Sequence, residues 1–448
     1  MGDQTDTQPV DAGAPARQTT RRGHLRHIVG GQESGLLGVI ALLVIGLTIY
    51  GAINPKAMPI AVSVPEGGQA VFIFADPSDE DARIAVPVSA APVPSIPGEE
   101  IIAAEVQAAD GRVIWRTSAV QSPQRWRLDE ANARLLGRHT VNRFFEPTNL
   151  ILLANNASLI AVIAVGMVGV IILAGIDLSV GSIYALAGVL AASALAKLDP
   201  GTGVLATVPL ALLVSCGIGA LLGAANGAMI VLFRVHPFII TLGTMSVYRG
   251  LAFVFTEGQT IGGLPDSLQT AFFKLAPFGG DVPVHPINTL IMLLIALGGS
   301  LVLTATVFGR RVYAIGGNET AARYAGIPIG RIKVIVYTLV GALAGLSACM
   351  SIGYFGAATS SAGNMYELRV IAAAVVGGAA LTGGRGTALG AVLGAIIIEL
   401  INNAIIILGI DNAYLGVVTG AAIIVAVVID RVKQGILPGA GPPANTPG

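Results

Sequence analysis

Long apolar segments separated by short polar ones dominate the chain. A helix needs about 20 apolar residues to cross the roughly 30 Å hydrocarbon core of a bilayer, and the bilayer offers no water to unpaired backbone groups. The pattern therefore predicts an all-α polytopic membrane protein with about ten transmembrane helices. The eighth run is short for a span, and the fourth is long enough to tilt or break. The runs lie near residues 35–53, 149–174, 179–197, 203–233, 238–256, 287–308, 332–354, 367–382, 386–409 and 413–430.

A polar segment of about 90 residues interrupts this pattern after the first apolar run. It contains β-rich runs at 69–75 and 83–88, and Asp110-Gly111 is a two-residue hairpin signal. A small β-rich domain is predicted here, either a decorative insertion or a platform that contacts a soluble partner or a neighbouring subunit. The predicted organisation is a disordered tail at 1–34, a first transmembrane helix at 35–53, the insert at 55–146, a helical core at 147–432 and a second tail at 433–448.

Composition and charge narrow the class of protein. Hydrophobic residues make up 54% of the chain and charged residues 12%, about half the charged share of a typical soluble domain. The 26 basic and 26 acidic residues cancel, which argues against a nucleic-acid partner because phosphate binding needs a basic surplus. Basic residues favour the cytoplasmic side. With an even number of spans, both termini and the cluster before the seventh run are predicted to be cytoplasmic: Arg310, Arg311, Arg323, Arg331 and Lys333.

The predicted cytoplasmic segment 309–331 contains a short helix with sequence signals for its start and its end. Glu319–Ala325 favours a helix, with Asn318 available as the N-cap and Gly326 as the residue that ends it. Small side chains and flanking charges suit docking into a groove of another protein. The residues alone leave two interpretations open, a docking helix and a capped surface helix with no partner.

Four motifs follow one another across residues 145–430. The first is Ala174-Gly175-Ile176-Asp177-Leu178-Ser179-Val180-Gly181-Ser182. The second begins at Pro237-Phe238-Ile239-Ile240-Thr241 and includes Arg249-Gly250, and the third is Gly316-Gly317-Asn318 with Ala321-Ala322 and Gly326-Ile327. The fourth runs from Tyr366-Glu367-Leu368 through Gly383-Gly384-Arg385-Gly386 to Asn402-Asn403. Together the four motifs resemble those of one family, the permeases of ribose-, xylose- and galactose-type ABC sugar importers.

The resemblance implies a division of labour in a bacterial cytoplasmic membrane. Two permease copies or paralogues pair within the lipid, an ABC ATPase binds the short helix, and an extracytoplasmic sugar-binding protein delivers the ligand. The chain contains no G-x4-G-K-[ST] phosphate cradle, so it is expected to be a transport subunit without enzymatic activity or cofactor. The implied ATPase-coupling residues are Gly309, Arg310, Arg311, Gly316, Gly317, Asn318, Glu319, Ala321, Ala322, Gly326 and Ile327.

Two features depart from the family pattern. The insert at 55–146 is additional, which puts the usual docking of the binding protein in question. Arg369 stands where the family more often has an acidic or neutral residue.

Polar residues inside the apolar runs are candidates for the translocation path, because a charged group at mid-bilayer costs about 2.5–3.5 kcal/mol and tends to be functional. Asp177 and Ser179 either line the path or cap the third helix. Glu399, Asn402 and Asn403 share one helix face and either line the path or bond across helices. The candidates are Asn155, Asn156, Asp177, Ser179, Ser182, Glu399, Asn402 and Asn403.

Other functions remain as alternatives. A related ABC permease could carry branched-chain amino acids or another small metabolite. An ion-coupled secondary transporter would be expected to show inverted repeats with interrupted helices. An intramembrane enzyme or metal site lacks its groups, because none of the five histidines is paired within a run. Gly219-x3-Gly223-x3-Gly227, Gly341-x3-Gly345 and Gly390-x3-Gly394 predict close helix packing, within the chain or between subunits.

Overall fold

The structure is a computed structural model. It describes residues 31–54, 56–63, 69–74, 83–87, 101–116, 127–129, 134–275 and 285–411, and beyond them residues 414, 416, 417, 420, 421 and 424. The predicted tail at 433–448 and most of the predicted tail at 1–34 lie outside the described residues. So does most of the tenth apolar run, 413–430. The first helix begins at Gly31, so the last four residues assigned to the tail are helical.

Eleven helices of six residues or more are described, and we number them in chain order. Apolar composition and the absence of interior charge in most of them favour helices that lie in lipid. They are α1 (Gly31–Ile53), α2 (Pro147–Ile172), α3 (Val180–Leu195), α4 (Val204–Phe233), α5 (Pro237–Thr256), α6 (Ile287–Ala305), α7 (Val307–Gly317), α8 (Glu319–Tyr324), α9 (Ile329–Phe355), α10 (Tyr366–Val376) and α11 (Ala388–Leu408).

Seven of the described helices are long and apolar enough to cross a membrane: α1, α2, α4, α5, α6, α9 and α11. The prediction of ten spans is therefore not met within the described residues. The third run forms only the 16 residues of α3, and the eighth only the 11 residues of α10. At 1.5 Å per residue these helices are about 24 Å and 16 Å long, less than the hydrocarbon thickness. Hydropathy does not reveal the end of α10, because residues 377–382 that follow it carry no charge.

The long second helix lies at the centre of the bundle. Two-thirds of the most apolar window of α2 is buried, and α9 and α11 are nearly as enclosed. By contrast, α1, α4, α5 and α6 leave most of their apolar surface exposed. The described membrane region is thus a core of α2, α9 and α11 with a periphery that faces lipid or other chains.

Glycine stripes allow two pairs of helices to approach closely. A Cβ at Gly219 or Gly223 of α4 would overlap backbone carbonyl oxygens of α9, at Gly341 and Tyr337 respectively. Gly390 and Gly394 of α11 stand in the same relation to Gly377 and Ala373 at the end of α10. The interpretation of these motifs as packing within the chain is confirmed for both pairs.

Strands occupy the region between α1 and α2. β1 (Lys56–Ser63) pairs antiparallel with β7 (Arg134–Val141), and β6 (Arg127–Asp129) pairs with β7. A second sheet has the order β3-β2-β4-β5, formed by Arg83–Pro87, Gln69–Phe74, Ile101–Gln107 and Val113–Arg116. The predicted turn at Asp110-Gly111 joins β4 to β5, and Gly111 has a φ of +80°. We call the side of the helical bundle that carries these strands the strand side.

The segment between α6 and α9 defines the opposite side, which we call the loop side. Residues 309–317 were expected to form a loop, but they lie in α7, whose N-cap Thr306 accepts a hydrogen bond from the backbone N–H of Gly309. The short helix predicted over Glu319–Ala325 is confirmed as α8. The side chain of Asn318 caps it, and Gly326 follows with a φ of +76°.

Candidate functional site

Two short helices begin next to each other inside the bundle. Gly181 in the first turn of α3 packs so closely on the start of α10 that a Cβ there would overlap the carbonyl oxygen of Gly363 and the carboxylate of Glu367. The rings of Tyr184 and Tyr366, one from each helix, lie 5.1 Å apart between their centroids. This meeting of two interrupted helices places backbone ends and polar side chains within the membrane region, where they need partners.

A buried chain of hydrogen bonds fixes the start of α3. Oδ1 of Asp177 accepts from the backbone N–H of Ser179 at 2.8 Å and from its hydroxyl at 2.6 Å. The amide of Asn226 in α4 donates to Oγ of Ser179 at 2.7 Å, and the hydroxyl of Tyr248 in α5 donates to Oδ1 of Asn226 at 3.1 Å. Ser182 donates to the carbonyl of Ser179. The network ties the break before α3 to two neighbouring helices.

Asp177, Ser179 and Ser182 are all fully buried, so this conformation does not expose them to a cavity. Oδ2 of Asp177 has no hydrogen-bond partner within the described part of the chain. The capping interpretation fits the geometry in a modified form, because Ser179 is the N-cap residue of α3 by position while the carboxylate of Asp177 accepts its N–H.

Charged groups meet where α10 packs on α11. Nη1 of Arg369 lies 3.6 Å from Oε1 of Glu399, and the amide of Asn402 donates to Oε2 of Glu399 at 3.2 Å. The guanidinium of Arg369 also stands 5.9 Å from the centre of the Tyr366 ring. Nothing in the sequence alone connects Arg369 with Glu399, which are 30 positions apart.

Two of the three remaining polar candidates, Asn403 and Asn155, bond across helices nearer the strand side. Asn403 and Asn149 exchange hydrogen bonds between α11 and α2. The amide of Asn288 in α6 donates to Oδ1 of Asn155 at 2.5 Å. Asn156 is half-buried. Of the residues predicted from the sequence, the structure therefore groups Asp177, Ser179 and Ser182 at one place and Glu399 and Asn402 at another, and it separates the asparagines of α2 from both.

An arginine inside an apolar run supports the segment between α9 and α10. Arg249 of α5 donates to the carbonyl oxygens of Ser360 and Ala362 at 2.8 and 2.5 Å, and to that of Gly363 at 3.2 Å. The carbonyls of Ser360 and Ala362 are satisfied in this way, and that of Gly363 also accepts from the backbone N–H of Tyr366. Its position within the fifth apolar run was the signal from which this role could have been found, since a buried charge needs a specific partner.

The candidate coupling segment is exposed at one face and anchored at the other. Arg310, Arg311, Gly317, Asn318, Ala321 and Gly326 are exposed, whereas Gly309 and Ala322 are buried and Gly316, Glu319 and Ile327 are half-buried. Tyr324, which the sequence did not single out, is 89% exposed. The exposed residues form a surface of small and polar groups around α8.

Ion pairs and close contacts connect this segment to the bundle. Lys333 of α9 and Arg323 donate to the carboxylate of Glu319 at 2.9 and 3.3 Å. The hydrogen bond from Lys333 is the main reason why the pKa of Glu319 lies below its ordinary value. The end of α7 packs at Gly316 against the carbonyl of Ile172, the last residue of α2. The hydroxyl of Tyr313 donates to the carbonyl of Gly386 at 2.6 Å, just before α11.

Comparison with known proteins identifies relatives of the membrane region. The profile of a family described as branched-chain amino acid transport system / permease component matches residues 149–427. The chain is 42% identical over 292 residues to the ribose import permease protein RbsC of Bacillus subtilis (strain 168), covering 65% of this chain and 87% of that protein. It is 36% identical over 301 residues to the galactose/methyl galactoside import permease protein MglC of Escherichia coli (strain K12), covering 65% and 88%. No solved structure matches the chain.

Proposed function

The chain belongs to the family described as branched-chain amino acid transport system / permease component, and we propose that it forms the translocation path of an ABC importer for a monosaccharide. Family membership makes it a multi-pass permease and a transport subunit, not an enzyme. The single observation that supports a monosaccharide as the substrate is the sequence identity of 36–42% to relatives whose names specify ribose and galactose import, over 87–88% of their lengths.

A related permease for branched-chain amino acids is the second candidate, because the family description names those substrates. The interrupted helices α3 and α10 are a feature expected of ion-coupled transporters. Here they occur in a chain that belongs to an ABC permease family, so they describe the architecture of its path and do not indicate ion coupling.

The loop side is proposed to face the cytoplasm, with the strands of the insert outside and both termini inside. In support, Arg310, Arg311, Arg323, Arg331 and Lys333 cluster on the loop side, and basic residues favour cytoplasmic loops. The exposed surface around α8 would then be available to an ATPase, which the chain must obtain from a partner. A sugar-binding protein outside and a second copy or paralogue within the lipid complete the proposed assembly.

The anchoring of α7 suggests how movement of the ATPase would reach the path. A displacement of α8 is transmitted through α7 to the loop-side ends of α2 and α11, through Gly316 and Tyr313. Because packed interfaces switch between discrete arrangements instead of deforming continuously, the displacement would move α2, α10 and α11 as units. We propose that these helices, together with α3, line the path between its inward-open and outward-open states, with Asp177, Ser179, Ser182, Glu399 and Asn402 close to it and Asn155, Asn156 and Asn403 nearer its outer end.

Uptake measurements test the function directly. Membrane vesicles that contain the chain with its cognate ATPase and binding protein are given radiolabelled D-ribose, D-galactose, D-allose and L-leucine. ATP-dependent accumulation of a monosaccharide is expected, and accumulation of leucine alone would replace the proposal by the second candidate.

Labelling tests the orientation separately. Asn318→Cys in a background with Cys216→Ser and Cys349→Ser should react with a membrane-impermeant maleimide only after the cells are opened. Reaction in intact cells would overturn the proposed threading.

A further inference from the structure

We infer that Arg369 is a specificity-determining residue that donates hydrogen bonds to hydroxyl groups of the transported sugar, and that Glu399 is a positioning residue that holds it. This inference rests on the proposed function, since it concerns the path for a monosaccharide.

The pair lies near the middle of a helix that is long enough to cross the bilayer. Glu399 is the twelfth residue of the 21 in α11, so it lies about 17 Å along the helix from its first residue and about 14 Å from its last. In a helix that crosses the bilayer, those distances place Glu399 near the midplane of the hydrocarbon core. Charged groups at this depth are retained against a cost of a few kcal/mol, and they mark substrate pathways or specific partners.

The two members of the pair differ in their access to the surface. The Glu399 side chain is only 3% exposed, whereas the Arg369 side chain is 17% exposed. Arg369 stands in the first turn of α10, where the consecutive residues 366–369 are all half-buried and residues 364 and 365 are exposed. Glu399 is thus enclosed behind the guanidinium, and Arg369 is the member that a ligand can reach.

The hydrogen-bond donors of Arg369 are unused within the described part of the chain. Its contacts there are the 3.6 Å approach to Glu399, which is too long for a hydrogen bond, and the ring of Tyr366. Oε1 of Glu399 likewise has no hydrogen-bond partner among the described residues. A guanidinium carries five N–H donors, so several remain for a ligand.

Arg249 shows what a purely structural arginine looks like in the same protein. It lies within a membrane-spanning helix, and its Nη1 and Nη2 atoms donate to three backbone carbonyls of residues 360–363. Arg249 is therefore committed to supporting a loop. Arg369 supports no backbone group in the described residues, although it lies only a few residues further along the chain from that loop.

The surroundings of Arg369 favour a neutral polyol over an anion. Glu399 balances its charge, and Glu367 lies two positions earlier in the same turn, so the region offers donors without a positive surplus. Tyr366 supplies an aromatic ring beside the guanidinium, and the ring of Tyr184 stands behind it. A planar set of unused donors without a positive surplus suits a sugar, which presents neutral hydroxyl groups.

The contact between Arg369 and a sugar hydroxyl is tested by combining protein variants with sugar analogues that lack one hydroxyl. The variants Arg369→Lys and Arg369→Gln/Glu399→Gln are compared with wild type in vesicles that contain the cognate ATPase and binding protein. The probes are D-ribose, D-galactose or D-allose, whichever the wild type imports, and the monodeoxy analogues of that sugar. The double variant removes both charges together, so no carboxylate is left buried without its counter-ion.

The expected result is a loss of discrimination. For one hydroxyl, removal from the sugar should lower wild-type uptake by about tenfold, the effect of about one hydrogen bond of 1.4 kcal/mol. The same removal should lower uptake by the double variant by about twofold or less. Arg369→Lys keeps the charge but loses the planar fork, and should fall between the two. Selection by the binding protein is the same in every arm and cancels in the comparison.

Three outcomes separate the proposals. Unchanged discrimination by a double variant that is folded and imports normally would show that the pair is only structural, and would overturn the inference while leaving the proposed function intact. Equal loss of uptake for all analogues would overturn it in the same way. Failure of the wild type to import any monosaccharide would instead overturn the proposed function itself.

Discussion

Nζ of Lys333 lies 2.9 Å from Oε2 of Glu319, and this ion pair ties the short helix α8 to the first turns of α9. Arg323 approaches the other carboxylate oxygen at 3.3 Å. One carboxylate therefore holds both the end of α8 and the helix that follows it. If α8 is the contact with the ATPase, the pair is the first internal connection that force would meet.

Neutralising Glu319 should loosen α8. We expect Glu319→Gln to raise the rate of tryptic cleavage after Arg323 in detergent-solubilised protein by about two- to fivefold, because exposed ion pairs are worth about 0.2–1 kcal/mol each. Thr320→Ala, at an exposed neighbouring position, is the control and should leave the cleavage rate unchanged. Equal rates for Glu319→Gln and wild type would show that the ion pairs do not hold α8.

The same pair predicts a pH profile. The folded-state pKa of Glu319 lies below its ordinary value because Lys333 donates to it, so the stabilisation is present above the ordinary value of about 4.3 and is lost as the pH falls through the lower, folded-state pKa. The protection of Arg323 in the wild type should therefore be constant between about pH 5 and 8. A marked loss of protection within that window would contradict the assignment of the ionised carboxylate as the partner of Lys333.

The left-handed backbone at Gly326 predicts an uncoupling variant. Its φ of +76° is costly for a β-branched residue. Gly326→Val should therefore destabilise the end of α8 by about 1–2 kcal/mol or more without affecting the membrane-spanning helices. We expect normal insertion, continued ATP hydrolysis by the partner and loss of most sugar uptake. Gly201→Ala is the control, because open space surrounds that position, its φ is not positive and it lies outside the coupling segment. Undiminished uptake by Gly326→Val would argue against a role of this turn in coupling.

Sequence pattern and structure agree where the physics is local. The cap at Asn318 and the turn at Gly326 follow from side-chain chemistry within a few residues, and so does the hairpin at Asp110-Gly111. The seven long spans follow from hydropathy because each helix satisfies its own backbone. The close approach of α4 to another helix can also be predicted, because the spacing of Gly219 and Gly223 puts two glycines on one face of an apolar helix.

What the sequence does not reveal depends on non-local contacts. Beyond Arg369 the run 367–382 carries no charge, yet α10 ends at Val376 because Gly377 must pack against Gly390 of α11 and Gly378 takes a left-handed conformation. The partner of Glu399 is another case. Helical spacing places Asn402 beside it, but only the packing of α10 on α11 brings Arg369 to the carboxylate.

The buried hydroxyl of Ser179 predicts a stability difference within one helix region. It receives the amide of Asn226 and donates to Asp177. Ser179→Ala should therefore leave the buried amide of Asn226 without this partner, remove one of the two hydrogen bonds to Oδ1 of Asp177, and destabilise the solubilised protein by about 1–3 kcal/mol. Ser193→Ala is the control, because that hydroxyl only bonds the carbonyl of Val189 in its own helix. The midpoints of thermal unfolding of the two variants, followed by light scattering, are compared. Equal midpoints would indicate that the network before α3 does not stabilise the fold.

The antiparallel pairing of Lys56 with Val141 predicts that the insert can be removed. These residues are the ends of β1 and β7, which directly follow α1 and precede α2, so the two chain ends are already side by side. Asn142 reaches back to the carbonyl of Thr48 in α1, and Arg143 donates to the carbonyl of Ile407 at the end of α11. Both contacts lie outside the segment 56–140.

Replacing that segment by a short Gly/Ser linker should therefore leave a monodisperse helical core with a melting temperature close to that of the full chain. If the insert is a platform for the binding protein, uptake would fall while ATP hydrolysis continues. If it is only decorative, uptake would be retained. Aggregation of the shortened protein in detergent would contradict the independence of the core, because it would mean that the strands stabilise the junction of α1, α2 and α11 and do not merely extend from it.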